Sequence, residues 1–304
     1  MLNNIFKKSS TTGANNQYGA VIRVIGYRSA GKTSFMAALA RWPNASSDSP
    51  VQSVTANNEE SQELINKARN ILEQGEQLEA TKLDADANEV KDYDFSIKLK
   101  DKFSWRSPQL GQNNRTIDLN LSCKDYAGEF FNDLLQPANN SRLDTYLDDC
   151  MRADGIALLI DGASHRMDAE YAIGLEQFFK ALDRNETETK HRRIAAILTK
   201  SENGEVFATR DKPATITVSR RFPNVHEKLQ AWHNSKAGKV EFFRASAFGT
   251  LGNNFPEPNA TIIRRGAEGT TAFIKKPKFW KPFGLISPLY WLCTGERHPD
   301  LDKD

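Results

Sequence analysis

Residues 21–39, VIRVIGYRSAGKTSFMAAL, constrain the fold of this chain more than any other stretch. A short apolar run rich in β-branched residues predicts a buried strand, and the residues after the turn predict a helix. Between them, Gly26, Gly31, Lys32 and Thr33 fit the pattern of glycine, four residues, glycine, lysine and then serine or threonine. Glycines let the backbone fold closely around phosphates, and the following helix N-terminus adds a favourable dipole. The stretch therefore predicts a phosphate-binding loop.

This P-loop pattern gives each polar side chain an expected role. Lys32 is predicted to reach the β- and γ-phosphates and to neutralise charge during phosphoryl transfer, and the Thr33 hydroxyl to ligate Mg²⁺. Arg28 could stabilise charge from within the loop, although an exposed loop arginine is the alternative. The predicted nucleotide-binding residues of the loop are Gly26, Tyr27, Arg28, Ser29, Ala30, Gly31, Lys32, Thr33 and Ser34.

Strand patterns that alternate with helical patterns predict an α/β fold with three layers. The apolar segments GIALLIDG and RRIAAILTKSE suit central parallel strands that are covered on both faces. DYDFSIKLK and TIDLNLSCKDYAGE alternate apolar and polar residues, so they predict an antiparallel pair with an enlarged connection. We expect a doubly wound, mostly parallel sheet with one antiparallel strand and an insertion after the first helix. Helices are predicted for RLDTYLDDCMRA, AEYAIGLEQFFKALDR and FPNVHEKLQAWHNS.

Composition divides the chain into a tail, a domain and an extension. Residues 1–18 are rich in Asn, Ser and Thr and are predicted to be disordered. The α/β domain is predicted over residues 19–250. Its insertion spans about 43–92, in which residues 43–58 have the composition of a loop and precede an amphipathic helix. Residues 251–304 form a C-terminal extension that is expected to pack on the domain or to bind a partner.

Within the extension, residues 274–295 combine a basic cluster with aromatic side chains. Four lysines lie within seven residues, and aromatic residues accompany and follow them. The aromatic side chains could pack the C-terminus onto the domain, or the segment could bind a partner protein. A membrane patch is the least favoured of the three, because membrane anchoring usually takes two signals. The residues are Lys275, Lys276, Lys278, Trp280, Lys281, Phe283, Tyr290 and Trp291.

Overall composition excludes several classes of protein. The 41 Lys and Arg residues nearly balance the 39 Asp and Glu residues, so the charge gives no reason to expect nucleic acid or a membrane as a partner. Cys123, Cys150 and Cys293 show neither a disulfide framework nor zinc-ligand spacing, which fits a reducing cytoplasm. The N-terminal residues lack an apolar core long enough for a signal peptide, and no apolar run is long enough for a spanning helix.

A second motif, DYAG, follows the predicted strand that ends at Cys123. Asp125 stands at a strand end, where a P-loop protein needs a carboxylate for the Mg²⁺ shell. Gly128 would let a backbone N–H approach the γ-phosphate. The tetrapeptide alone could be an ordinary turn, but its order and its position after a P-loop favour the functional interpretation.

With these motifs, the chain resembles a GTPase of the Ras-like P-loop superclass over residues 19–250. TKSE, which begins at Thr199, follows a predicted strand where such GTPases carry Asn or Thr, Lys, any residue and Asp. By this resemblance, Lys200 packs its stem on the base and Glu202 accepts hydrogen bonds from the guanine edge. In ASA, Ser246 and Ala247 would line the base pocket.

The resemblance has two departures and one uncertain position. Glu202 replaces the usual Asp, so its carboxylate is displaced by one methylene. Glu129 replaces a water-orienting Gln, and because its charge would repel the γ-phosphate, slow intrinsic hydrolysis is expected, whether or not a partner accelerates it. The mobile threonine that closes over Mg²⁺ is assigned to Thr81, with Thr55 and Thr116 as alternatives. Lys32, Glu129 and Thr81 form the predicted catalytic set, and Thr33, Thr81 and Asp125 the predicted metal ligands.

The chain also resembles bacterial double-GTPases of conflict and defence gene clusters. That likeness rests on the P-loop, a Thr ahead of a Tyr-x-Phe strand (Thr81, Tyr93 and Phe95), DYAGE, and Pro-Leu-x-Trp-Leu at 288–292. The Ras-like resemblance implies a GTP/GDP switch that hydrolyses GTP with Mg²⁺ and engages a protein partner through residues 78–92 and 125–145, and the cysteines favour a cytoplasmic location. A P-loop ATPase and a nucleotide-binding module with little turnover are the alternatives.

Overall fold

The computed structural model describes most of the chain in ten ranges. These are residues 16–27, 29–41, 50–73, 91–100, 116–125, 130–135, 141–184, 192–252, 256–264 and 270–302. Of the tail predicted over residues 1–18, residues 1–15 lie outside the described ranges. Asn16 to Tyr18 already belong to the first strand, because they pair in register with Ile117 to Leu119, so the predicted boundary of the tail was wrong by three residues.

Seven strands in the described ranges form the central sheet, and four short strands form two small antiparallel ribbons. The strands are β1 (Asn16–Gly26), β2 (Val51–Ala56), β3 (Lys91–Lys100), β4 (Thr116–Asp125), β5 (Gly155–Asp161), β6 (Arg192–Thr199), β7 (Gly238–Arg244), β8 (Thr250–Leu251), β9 (Glu257–Pro258), β10 (Ala260–Arg264) and β11 (Thr270–Ile274).

The order of the central sheet is β2-β3-β4-β1-β5-β6-β7. β1 lies parallel between β4 and β5, and the parallel pairing continues through β6 to β7. β3 pairs antiparallel with both β4 and β2, so it is the strand that runs against the others. The predicted doubly wound sheet with one antiparallel strand is confirmed, including the antiparallel pairing of DYDFSIKLK with TIDLNLSCK.

One strand was missed in the predicted insertion. Residues 43–58 were expected to be loop, but β2 lies within them and forms the edge of the sheet beside β3. The Asn and Ser residues around the short run VQSVTA gave the whole segment the composition of a loop. Val51 is buried in this run and Val54 packs against the core, so its apolar side chains decide the local structure.

Helices cover both faces of the sheet. The helices are α1 (Lys32–Arg41), α2 (Glu59–Glu73), α3 (Phe130–Leu135), α4 (Ser141–Arg152), α5 (Asp168–Arg184), α6 (Gly204–Phe207), α7 (Ala214–Arg221), α8 (Pro223–Asn234) and α9 (Ile286–Thr294). One hydrophobic cluster joins the sheet to α1, α2 and α9, and a second joins it to α3, α4, α5 and α8. The helices predicted at α4, α5 and α8 are confirmed.

The C-terminal helix α9 is part of the core layer beside the central strands. It contacts β1, β5 and β6, and every residue from Ile286 to Cys293 is buried. A Cβ atom added to Gly155 on β5 would lie 2.8 Å from a Leu292 methyl carbon, so helix and strand are in close contact. Because α9 is apolar on all sides, it lacks the polar face by which an amphipathic helix is recognised in a sequence. No helix in the described ranges is both long and apolar enough to cross a membrane.

Candidate nucleotide-binding site

The P-loop leaves the carboxyl end of β1, the strand at which the chain order of the sheet reverses. Open α/β sheets bind ligands at this position. Gly26 ends β1 so close to β5 that an added Cβ would lie 2.6 Å from the Leu159 carbonyl oxygen. Ser29 and Gly31 adopt positive φ angles of 64° and 86°, and α1 then begins at Lys32. The turn therefore joins a central strand to a helix N-terminus, which is the geometry of an anion site.

Lys32 lies over its own loop. Its ammonium donates to the Gly26 carbonyl oxygen at 3.0 Å and to the Tyr27 carbonyl oxygen at 3.4 Å. The residue is buried, whereas the neighbouring Thr33 and Ser34 are half-buried. The cationic group is thus held at the mouth of the loop by its backbone, next to the half-buried Thr33.

Tyr27 anchors the P-loop to the helices on one face of the sheet. Its hydroxyl donates to the Glu170 carbonyl oxygen at 2.6 Å. Its ring stacks on Phe131 with centroids 4.8 Å apart and meets Tyr171 edge-on at 4.5 Å. Burial, followed by the charge of Glu170, raises the pKa of the Tyr27 hydroxyl to about 12. The side chain thus has a structural role that the motif did not indicate.

Thr199 connects the P-loop to the predicted base-binding loop. It ends β6, and its buried hydroxyl lies 2.7 Å from the Ala30 carbonyl oxygen and 3.0 Å from the Ile160 carbonyl oxygen. Both acceptors are backbone groups: Ala30 lies in the P-loop, and Ile160 lies near the end of β5. The structure therefore gives Thr199 a contact that holds two loops together.

Lys200 pairs with a carboxylate that sequence reasoning missed. Its ammonium donates to Asp161 Oδ2 at 2.6 Å, and its backbone has a positive φ of 53°, which is strained for a non-glycine residue. Asp161 also accepts from the Ala163 amide and the Ser164 hydroxyl, both at 3.0 Å. The signal in the sequence was a carboxylate that ends the otherwise apolar strand β5.

Glu202 is a buried carboxylate with one oxygen unsatisfied. The residue is 4% exposed, and its Oε2 has no hydrogen-bond partner among the described residues. Burial raises the pKa of the carboxyl, while a hydrogen bond with Ser246 partly opposes the rise. Because buried polar atoms normally find partners, this oxygen is suited to a ligand that donates hydrogen bonds.

Ser246 and Ala247 lie in the loop after β7, next to the TKSE loop. The Ser246 hydroxyl accepts from the Gly249 amide at 2.8 Å and lies beside the Glu202 carboxyl of the TKSE loop, whose pKa it lowers. A second link runs from the Ser201 amide to the Ala245 carbonyl oxygen at 3.2 Å. The structure brings these predicted base-pocket residues together.

The predicted Mg²⁺ side is described only in part. Asp125 ends β4 opposite Val24 of β1, two residues before Gly26, so its backbone lies at the same edge of the sheet as the P-loop. The side chain of Asp125 lies outside the description. Arg28, Thr81, Gly128 and Glu129 also lie outside the described residues. Of the alternatives to Thr81, Thr55 lies on β2, where its hydroxyl donates to the Ser96 carbonyl oxygen, and Thr116 begins β4.

Comparisons with solved structures gave distant matches. The SRb-GTP/SRX complex of the signal recognition particle receptor from Chaetomium thermophilum is 12% identical, covers 81% of this chain and 94% of that chain, and has a TM-score of 0.36. The S. cerevisiae Ski7 GTPase-like domain, bound to GDP and inorganic phosphate, is 14% identical over 76% of this chain and 44% of that chain, also with a TM-score of 0.36. Likenesses at this level carry no argument about function. No curated protein matches the chain.

A family model, Double-GTPase 2, matches residues 109–261, which is half of the chain. The matched region contains Asp125, TKSE at 199–202 and ASA at 245–247, whereas the P-loop lies ahead of it. Apart from the P-loop, these are the motifs on which the sequence resemblance to GTPases rests. The chain belongs to the Double-GTPase 2 family, which confirms the GTPase resemblance that its sequence predicted.

Proposed function

We propose that the protein binds GTP and hydrolyses it slowly to GDP and phosphate, and that it acts as a nucleotide-dependent switch. The observation that carries this proposal is the buried Glu202 carboxylate with its unsatisfied Oε2, beside Ser246 and tied to the P-loop through Thr199. This arrangement combines an acceptor for a base with a site for phosphates at one edge of the sheet.

The Glu202 carboxylate favours guanine over adenine by hydrogen-bond chemistry. An ionised carboxylate only accepts hydrogen bonds. Guanine presents two adjacent donors, the N1–H and the 2-amino group, whereas adenine has an acceptor at N1 and no 2-amino group. Adenine would leave the buried carboxylate unpaired, and an unpaired buried charge is costly. The Lys200–Asp161 ion pair holds the same loop in its strained backbone conformation.

On the phosphate side, the chain supplies positive charge and amide donors. The P-loop amides and the N-terminus of α1 would hold the phosphates, and Lys32 would exchange its contacts with the Gly26 and Tyr27 carbonyl oxygens for phosphate oxygens. In hydrolysis, a water oxygen forms a bond to the γ-phosphorus while the bond to the β–γ bridging oxygen breaks. Lys32 neutralises the charge that builds up on the leaving GDP.

The residues expected to hold Mg²⁺ fit a hard cation. Thr33 and Asp125 supply a hydroxyl and a carboxylate at the ends of neighbouring elements, and Thr81 would add a second hydroxyl. When bound, Mg²⁺ neutralises charge on the β- and γ-phosphates. We assign Gly128 to a backbone contact with the γ-phosphate, and Glu129 to the position that makes turnover slow.

The switch itself is proposed for residues 78–92 and 125–145. One contact supports it: Tyr27 of the P-loop stacks on Phe131 of α3, the helix that directly follows DYAGE. A change at the phosphates could reach α3 through this ring pair, and a protein partner would recognise the rearranged segment. We also propose a role in a bacterial defence or conflict system, on the basis of the sequence resemblance, and a cytoplasmic location, which the unpaired thiols of the buried cysteines support.

Nucleotide competition tests the binding part of the proposal. Purified protein is loaded with a fluorescent GDP analogue, and GTP, ATP and tripolyphosphate are titrated as competitors with Mg²⁺ present. We expect displacement by GTP at a concentration at least about fivefold below that needed for ATP, because one hydrogen-bonding mismatch costs about 1–3 kcal/mol. Equal displacement by ATP and GTP would contradict the guanine assignment.

Single-turnover hydrolysis tests the enzyme part. GTP bound in the presence of excess protein should be converted to GDP slowly, and Glu129→Gln should accelerate the conversion because it removes the charge beside the γ-phosphate. Fast hydrolysis that is unaffected by this substitution would contradict the expected slow turnover. Tight GTP binding with no phosphate released over hours would instead identify a binding module.

A further inference from the structure

Residues 280–284, which we call the C-terminal strap, lie against the loop that carries Ser246 and Ala247. The backbones of Ser246 and Phe283 form a reciprocal antiparallel bridge: the Ser246 amide donates to the Phe283 carbonyl oxygen at 2.9 Å, and the Phe283 amide donates back at 3.1 Å. The strap is thus joined by backbone hydrogen bonds to a predicted base-pocket residue that lies more than thirty positions earlier in the chain.

Two glycines allow the strap and the loop to approach this closely. A Cβ atom added to Gly284 would lie 1.9 Å from the Arg244 carbonyl oxygen, and one added to Gly249 would lie 2.0 Å from the Lys281 carbonyl oxygen. Both glycines also have positive φ angles. A side chain at either position would force the two backbones apart, so the contact is built into the sequence on both sides.

Trp280 holds the loop at a third point. Its indole N–H donates to the Ala247 carbonyl oxygen at 2.8 Å, and its ring is buried in the cluster that includes α1 and α9. A rigid ring packed in the core thereby sets the orientation of the Ala247 peptide. The adjacent residues Lys278, Phe279 and Lys281 are exposed. Trp280 is thus the buried residue of the segment 278–281, and its indole bonds to the loop.

The contact extends to the base-reading carboxylate. The Ser246 hydroxyl accepts from the Gly249 amide and lies beside the Glu202 carboxyl, whose pKa it lowers. A hydroxyl has one proton to donate, and with the amide donating to its oxygen, that proton is available for the Glu202 carboxylate. The strap therefore supports a chain of contacts from Phe283 through Ser246 to Glu202.

We propose that Trp280 is a positioning residue for guanine recognition and that the C-terminal strap completes the base pocket. This inference rests on the proposed function. The strap touches the base side of the site at Ser246, Ala247 and Gly249, and the described residues show no hydrogen bond between the strap and the P-loop. Its effect should therefore fall on guanine recognition and leave phosphate binding intact.

Trp280→Phe tests the proposal, because it keeps a buried aromatic ring and removes the N–H that bonds to Ala247. We expect GTP and GDP to bind about three- to tenfold more weakly, the change that corresponds to one lost hydrogen bond. Displacement by tripolyphosphate, which has no base, should change by less than twofold, and the preference for GTP over ATP should fall.

Trp291→Phe is the matched control. Trp291 is also a buried tryptophan of the C-terminal region, and its ring faces Phe243 rather than the base loop. The Trp291→Phe substitution should leave the preference for GTP over ATP unchanged. Equal weakening of GTP and tripolyphosphate by Trp280→Phe, or an unchanged GTP affinity, would overturn the role of the strap. Failure of the unsubstituted protein to prefer GTP over ATP would overturn the guanine assignment and this inference with it.

Hydrogen exchange of the unsubstituted protein gives a second test, which holds even if the Trp280 variant does not fold. Adding GDP should slow exchange of the Phe283 amide together with the amides of residues 245–249, because the two segments share the Ser246–Phe283 bridge. The amides of β11, which lies in a separate two-stranded ribbon, are the internal reference. Protection of residues 245–249 without protection of Phe283 would overturn the proposal.

Discussion

The phosphate side and the base side of the proposed nucleotide site are built in different ways. The phosphate side is one continuous loop, from Gly26 to Thr33, and its lysine is held by carbonyl groups of the same loop. The base side is assembled from separate segments: Asp161, the TKSE loop, the ASA loop and the C-terminal strap.

This difference separates two kinds of binding. A local loop with backbone amides and one lysine binds any polyphosphate, because the phosphate groups of all nucleotides have the same charge and the same acceptor oxygens. Discrimination between bases needs a buried acceptor at a defined position, and Glu202 depends on remote contacts for that position. The two sides should therefore respond separately to substitution.

Loss of the Lys32 charge should have the largest effect. Lys32→Ala is expected to weaken GTP and tripolyphosphate about equally, by roughly a hundredfold or more, because it removes charge-assisted hydrogen bonds worth about 1.5–3 kcal/mol each. Titration against the fluorescent GDP analogue measures both affinities. Lys180→Ala, which removes an exposed lysine paired with Glu176, is the control. If Lys32→Ala weakened only nucleotides with a guanine base, the proposed separation of a phosphate side from a base side would be wrong.

Glu202→Gln should act on the base side alone. The amide loses one acceptor and adds a donor, so GTP should bind about ten- to a hundredfold more weakly, while tripolyphosphate binding stays the same. Xanthosine triphosphate, which has a carbonyl in place of the 2-amino group, should regain part of the lost affinity because the Gln amide can donate to that carbonyl.

The control for this substitution is Glu205→Gln, three positions along the chain. Glu205 is exposed and pairs with Arg221. It should leave all nucleotide affinities within twofold. If Glu202→Gln and Glu205→Gln behaved alike, the base pocket would have to lie elsewhere.

The preference for guanine should depend on pH through the same carboxyl. Burial raises the pKa of Glu202, and guanine donors favour its ionised form, so GTP affinity should rise with pH through the raised pKa and level off above it. Below that pKa the loss is at most about tenfold per pH unit. In the nucleotide-free protein, Glu202 should affect stability in the opposite direction. The contribution of this carboxyl to the free energy of unfolding should fall as pH rises from the ordinary Glu pKa through the raised one. Nucleotide titrations at several pH values measure the effect. In the Glu202→Gln variant, GTP affinity should no longer show this dependence on pH.

Weakening the support of Lys200 should have the smallest effect. Asp161→Asn removes the charge from a hydrogen bond of 2.6 Å, and the strained loop backbone should become less ordered. We expect GTP to bind about threefold more weakly with tripolyphosphate unchanged. A double-mutant cycle with Lys200→Met measures the coupling, and Glu176→Gln, which breaks exposed ion pairs, is the control. Additive effects in the cycle would show that the ion pair does not support the site.

The strands were largely predictable, and the exceptions have a physical cause. β1, β5 and β6 are short apolar runs that only a covered central strand can bury, and β3 and β4 alternate in a way that suits a half-exposed pair. β2 was missed because it is an edge strand, whose polar residues are stable only beside β3. α9 was missed because it is buried on all sides and has no amphipathic pattern.

By itself, the sequence determined the P-loop and the order of motifs along the strands, because these depend on residues that are neighbours in the chain. Only the tertiary structure decided how the base side is supported. Asp161 holds Lys200 from another strand, Thr199 reaches the Ala30 carbonyl oxygen, and Trp280 bonds to Ala247 from the C-terminal region. Contacts between residues far apart in the chain form only when the sheet and both helical layers are assembled. No local sequence pattern therefore predicts them.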